Sequence, residues 1–181
     1  LIVLVVLAVI FGAQFVGVRN QLVTNREAIN ASWSQVDVAL QRRADLIPNL
    51  VQTVKGFAAQ EKAVIDSVTS ARAALMGART PEERIAANQR LDSALSRLLL
   101  VVENYPQLRS SENFLRLQDE LAGTENRIAV ERRKYNEAVQ RYNTHLELFP
   151  NNLVAVLSGF TRNDAYFKTD PDARSVPAVQ F

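Results

Sequence analysis

Few side chains in this sequence are equipped for acid–base or metal chemistry. There is one histidine, His145, and no cysteine in 181 residues. His145 sits in Thr144-His145-Leu146-Glu147 with no second imidazole or thiolate to share a metal and no H-x-x-E-H spacing. It reads as a helix-end histidine beside the negative pole of the dipole. Carboxylates cluster at Asp119, Glu120, Glu125 and Glu131. A di-iron bundle needs Glu-x-x-His from each of two helices, and one histidine cannot supply both. Glu82-Glu83 and Asp119-Glu120 therefore read as solvated charge. No glycine-rich loop is present to cradle a phosphate. Without cysteine there is also no thiol nucleophile, thiolate site or disulfide. These readings predict no catalytic residue, no metal and no cofactor. The net charge of +2 lacks the basic footprint that nucleic-acid binding requires.

The polar residues of interest are amides and a charged group. Asn30, Asn49, Asn136 and Asn143 adjoin apolar seam residues, and the last two lie one heptad apart, each after a tyrosine (Tyr135, Tyr142). A buried amide costs free energy unless paired, and in return it fixes register. Asp37 and Asp45 with Arg42 and Arg43 suggest a charged network around Pro48. The plainest expectation is that these residues hold one bundle in one register. A sharper one makes Asp45, Pro48 and Asn49 part of a subunit contact or partner site. Trp33, the single tryptophan, is expected in the core rather than on a ligand platform. Glu131-Arg132-Arg133-Lys134 could touch anionic lipid, but pairing with Glu137 one turn on is simpler.

The elements that must position these residues are helices. Leu1 to Val18 carries no charge and spans about 27 Å as a helix, close to a bilayer's hydrocarbon core. It predicts a retained membrane anchor, being longer than the apolar part of a signal peptide and lacking an A-x-A site after it. The start at Leu rather than Met suggests that an N-terminal piece precedes this numbering. Ala8 with Gly12, and Ala13 with Gly17, form small-xxx-small pairs for helix packing in lipid. The first charges beyond the span are Arg19 and Arg26, which lean towards a bundle on the cytoplasmic side.

Ile29, Trp33, Val36 and Leu40 share one helical face, with no breaker between them and the anchor after Gly17. One long rod should result, until Pro48 kinks it or starts a new helix. A second helix is expected over Ala58–Met76, ended by Gly77. A third begins at Thr80-Pro81-Glu82-Glu83, an N-cap with proline at the first position and acids in the first turn, and stops at Asn104-Tyr105-Pro106. Ser110 or Ser111 caps the next, whose Phe114, Leu121, Ile128, Tyr135 and Tyr142 recur every seven residues. Thr124 and Glu131 interrupt its companion seam, so a globular bundle helix is expected more than a zipper. A short helix from Asn151 follows the Phe149-Pro150 turn. The remainder should be extended, docked along the bundle or reaching to a partner, with Val179-Gln180-Phe181 a candidate for strand addition to a carboxylate-reading module. The expected divisions are anchor 1–18, bundle 19–160 and tail 161–181, in an all-α fold of long antiparallel helices.

Several strings in this order are distinctive together: Trp33-Ser34-Gln35-Val36-Asp37-Val38-Ala39-Leu40-Gln41-Arg42-Arg43, Asp45-Leu46-Ile47-Pro48-Asn49-Leu50-Val51, Glu103-Asn104-Tyr105-Pro106, Tyr135-Asn136 and Tyr142-Asn143, Phe149-Pro150, Gly159-Phe160 and Pro177-Ala178-Val179-Gln180-Phe181. The chain resembles the LemA family of bacterial proteins from end to end. The resemblance implies one N-terminal anchor, a compact helical bundle and no established catalytic activity. One relative acts in building magnetosome membranes, which points to membrane shaping. The name has also been given to an unrelated sensor kinase, but this chain lacks the glycine-rich lid such an enzyme needs. Some relatives carry a lipid-modified cysteine in place of the anchor, which would put the domain outside the cytoplasm, against the charge-based lean.

Two classes of function follow. The first is a non-enzymatic scaffold at the bacterial inner membrane, single-pass, contacting lipid and assembling with copies of itself. The second is an adaptor for a membrane signalling or proteolytic system, binding a protein partner through its bundle or tail, with a tail removable at 161–181 while the bundle stays folded.

Overall fold

The structure, a computed structural model, describes residues 1–167; Val179-Gln180-Phe181 and the rest of the tail beyond Phe167 lie outside the described residues. Among the described residues the fold is all-α, with helices α1 (Ile2–Lys55), α2 (Lys62–Gly77), α3 (Pro81–Val102), α4 (Pro106–Arg109), α5 (Glu112–Glu147) and α6 (Asn151–Leu157). The apolar stretch is the first third of α1, and no break separates it from the bundle. It is long and apolar enough to cross a membrane, and none of that window is buried.

Beyond it, α1 is the central column. Leu22, Ile29, Val36, Leu40, Ile47, Leu50 and Val54 are buried along one stripe, at helical spacing. α5 packs against this stripe along its length. The pairing is antiparallel: Trp33 meets Tyr135, and ten residues on Arg43 meets Glu125. The sevenfold repeat supplies the facing side, with Phe114, Ile128, Tyr135 and Tyr142 buried and Leu121 half-buried. α2 and α3 form a hairpin that closes the other side, α2 resting on α1. Thr80 and Glu83 make a reciprocal capping box at the start of α3, and Ser111 caps α5. At the hairpin's open end the Tyr105 hydroxyl donates to Glu61 and accepts from Gln60, both at 2.8 Å.

Pro48 neither ends α1 nor starts a new helix; the helix runs seven residues past it to Lys55. Its ring removes the amide that would bond the Ala44 carbonyl. That carbonyl instead accepts a hydrogen bond from Arg72 Nε of α2, at 2.8 Å. The donor missing from the chain is replaced from across the bundle, so the proline is tolerated in mid-helix.

Candidate functional site

The site is built where the chain returns after α6. Gly159 adopts a left-handed φ of 71°, which a side chain would resist. The Phe160 amide then bonds back to the Ala155 carbonyl at 2.9 Å and closes the helix end. Arg26 of α1 lies over the Phe160 ring, 5.2 Å from its centroid. From there residues 161–167 run back along α5, opposite to it in direction. Tyr142 donates its hydroxyl to the Thr161 carbonyl at 2.8 Å.

Asn143 and Asn136 hold this segment by its backbone. Asn143 donates to the Asn163 carbonyl at 2.6 Å and accepts from the Asn163 amide at 2.9 Å, and it also donates to the Tyr166 hydroxyl at 3.0 Å. Asn136 does the same to Phe167, donating at 2.8 Å and accepting at 3.0 Å. A carboxamide carries one acceptor and two donors, so each side chain mimics a neighbouring β-strand for one residue. Their spacing of seven puts both on one stripe of α5, about 10.5 Å apart. The tyrosine before each is turned by about 100° into the core, where Tyr135 and Tyr142 are buried.

The captured segment delivers Phe167 to an aromatic cluster. Trp33 and Tyr135 meet edge to face at 5.3 Å, Trp33 stacks on Phe167 at 6.1 Å, and Tyr135 meets Phe167 at 5.8 Å. Arg132 covers the outer face of Phe167 at 5.1 Å. The Tyr135 hydroxyl is buried with no hydrogen-bond partner among the described residues. Burial, reinforced by the charge of Glu82, pushes its pKa up to about 12. Tyr142 is also raised, by burial, with Arg26 acting in the opposite direction.

A second polar cluster centres on Arg43, which is buried on α1. It donates to Asp92 of α3, reaches the fully buried Asn88 at 3.3 Å and pairs with Glu125 of α5 at 2.7 Å. Asn88 donates onward to Asp92 at 3.0 Å. Asp37 is bridged to Arg84, and Arg42 lies 3.6 Å from Glu120. The charged network thus joins α1 to α3 and α5, about one to three turns before Pro48. Asp45 stands apart from it: it is exposed and accepts from Gln41 at 2.9 Å. Pro48, Asn49 and Asn30 are also exposed, so of the predicted amides Asn143 is buried and Asn136 half-buried, joined by the buried Asn25, Asn88 and Asn151. Asn30 and Asn49 follow apolar residues in sequence, but one residue of helix turns them away from the core. Sequence reasoning missed Arg72, whose carbonyl partner lies 28 residues away, and the tail as the object of the two asparagines.

The remaining candidates are placed plainly. Glu131 is bonded by Lys134 at 3.0 Å, and Arg133 lies 3.8 Å from Glu137. The His145 carbonyl accepts from Asn151 at 3.0 Å. Among the described residues no group of three metal-binding side chains converges. Ala8, Gly12, Ala13 and Gly17 are exposed, with open space around both glycines.

These features define a class: a helical bundle continuous with an exposed apolar helix, its polar interior used for holding segments together. The LemA family profile matches residues 32–181, and the chain belongs to that family. It is 29% identical to magnetosome protein MamQ 2 of Paramagnetospirillum magneticum and 26% identical to MamQ of Magnetospirillum gryphiswaldense. Each match covers 84% of this chain and 65% of the relative. It is 24% identical to protein LemA of Metamycoplasma hominis, over 81% of this chain and 67% of that protein. The chain therefore spans about 65% of the length of the magnetosome relatives. The similarity to these proteins and the apolar N-terminal helix fit a membrane location.

Proposed function

We propose that the chain is a non-catalytic, single-pass membrane scaffold of the bacterial inner membrane, which assembles laterally with copies of itself. One observation carries this reading: α1 is a single helix from the apolar segment to Lys55, so the bundle is held at a set distance and attitude to the bilayer. A repeated, rigidly mounted subunit suits the organising or shaping of membrane, and the magnetosome names of its relatives are in keeping with that. The exposed small residues Ala8, Gly12, Ala13 and Gly17 offer close helix approach in lipid. The exposed edge of Asp45, Pro48 and Asn49 is the proposed contact between bundles. Arg19 and Arg26 favour the cytoplasmic side. The test is the mass of the full-length chain in detergent or nanodiscs by light scattering, with the detergent or lipid subtracted. A discrete multiple of the subunit mass is expected; monomer at every concentration overturns self-assembly.

A second reading, an adaptor for another membrane protein, is favoured by a groove of about 370 Å³ between α3 and α5, with Leu50, Leu95, Leu99 and Leu121 in its lining. Crosslinking in intact cells from this groove should then trap a different protein rather than a second copy. Removing residues 161–181 is unsuited to testing it, because residues 161–167 are bonded into the bundle by Asn136, Tyr142 and Asn143.

A further inference from the structure

We infer that the end of the bundle nearest the anchor is itself a lipid-contacting surface: the α5–α6 turn and the outer face of α6 enter the bilayer interface beside α1. The inference rests on the reading of α1 as a membrane anchor and goes beyond it.

From Leu148 to Phe160 the chain reads LFPNNLVAVLSGF, without a charge. α6 turns Asn151, Val154 and Ala155 inward, where they are buried. Its opposite face carries Leu153, Val156 and Leu157, which are 57, 79 and 77% exposed, and the turn adds Leu148 and Phe149, the latter 80% exposed. Beyond Asn151 and Asn152 at its start, α6 is apolar on both faces, and protein covers only one of them. Among the described residues, the other exposed large apolar side chains beyond the anchor are spread over some hundred residues: Val38, Phe57, Met76, Leu99, Leu100, Leu115 and Val130. Here five fall within one turn and one helix. Scattered apolar residues are ordinary on a surface, and a contiguous patch marks a contact.

The register of α1 and α5 identifies what covers it. Arg26 and Ile29 share a cleft with Tyr142, while Gln21 and Asn25 share one with His145 and Leu148. α5 therefore descends towards the anchor and ends beside Gln21. Three residues, about 4.5 Å of helix rise, separate Gln21 from Val18, the last apolar residue of the anchor. α6 packs on both α1 and α5 at this end. Phe15 and Val18 are half-buried, whereas the anchor residues before them are exposed. The patch is thus continuous with the lipid-facing surface of α1. Interfacial apolar faces of this kind sink about 5–10 Å into the headgroup and acyl boundary. Glu147, the carboxylate next to this stretch in sequence, is paired with Arg162.

The chain has no native cysteine, so single probes can be placed without background. Full-length Phe149→Cys and Val156→Cys, each carrying an environment-sensitive fluorophore, are placed in phosphatidylcholine–phosphatidylglycerol vesicles. Ile10→Cys reports the anchor and Glu103→Cys the far end of α3. Lipids with a doxyl quencher in the acyl chain should remove most of the emission at positions 149, 156 and 10, and leave position 103 unchanged. If position 10 is quenched while 149 and 156 follow 103, this inference falls and the anchor stands. If position 10 is not quenched, the anchor reading fails, and this inference with it. If 149 and 156 are shielded from both lipid and aqueous iodide but quench one another between subunits, a second copy covers the patch and the lipid assignment is overturned.

Discussion

At Arg43 the bundle is joined by ions; about three and five turns along α5, at Asn136 and Asn143, it is joined by neutral amides. Arg43 is buried, but its partners Asp92 and Glu125 remain 35 and 43% exposed in their side chains. Water shares that network and screens it. The asparagines hold backbone rather than side chains, and each satisfies a donor and an acceptor of one residue. An ion pair tolerates a range of geometries, so it suits helices already fixed by packing. A carboxamide clamp is directional, so it suits a segment with no helix or sheet of its own. The two clusters show one bundle using charge to tie elements that are already ordered and amides to impose order on one that is not.

The largest effect should come from breaking the amide side. Asn143→Leu removes three hydrogen bonds and strands the backbone of Asn163, at a cost of about 3 kcal/mol. Denaturant unfolding should show the loss, and hydrogen exchange should quicken at Asn163 and Phe167 while the centre of α5 stays protected. On the ionic side, Arg43→Met should cost about 1–2 kcal/mol, because the stranded carboxylates can rehydrate. The contrast sharpens with salt: raising it to 1 M should shrink the Arg43 penalty and leave that of Asn143 unchanged. Arg72→Met should cost about 1 kcal/mol by orphaning the Ala44 carbonyl. In a Pro48→Ala background, where a backbone amide again reaches that carbonyl, the same change should cost close to nothing. A double-mutant cycle in thermal melts reads this coupling directly.

The smallest and most specific prediction concerns Tyr135. Its native pKa is pushed up to about 12, above the value near 10 of an unfolded tyrosine. Between these values the unfolded chain releases a proton that the native state keeps, so stability falls as pH rises from 10 to 12 and is unaffected below 10. Tyr135→Phe should remove that part of the alkaline loss, and it should cost little at neutral pH because the hydroxyl has no partner among the described residues to lose.

What the sequence disclosed follows the range of each signal. The capping box at Thr80 and Glu83 and the heptads from Phe114 to Tyr142 are local patterns, and both helices form where those patterns place them. The continuity of the anchor with the bundle was equally legible, because no breaker lies between Gly17 and Pro48. Of the two outcomes Pro48 allowed, a new helix does not occur; the remedy that keeps α1 going, Arg72, lies on another helix, and nothing local announces that pairing. Tyr135-Asn136 and Tyr142-Asn143 stood out by spacing, yet their bonding partners were hidden: the segment they hold has no periodicity of its own. Proximity in sequence drew Asp45 into the charged network and Asn49 into the seam amides, and the helix turns both outward, away from those two clusters.

The unbroken course of α1 has a mechanical consequence. From Arg19 to Lys55 the helix rises about 55 Å, with no joint between this arm and the apolar segment. In a bilayer, a long apolar stretch meets a thinner hydrocarbon layer by tilting. A tilt of about 10° at the base would swing the far end of the arm through about 10 Å. Such a lever converts a small difference in bilayer thickness into a displacement as wide as a helix, and neighbouring levers would feel it as a change in spacing.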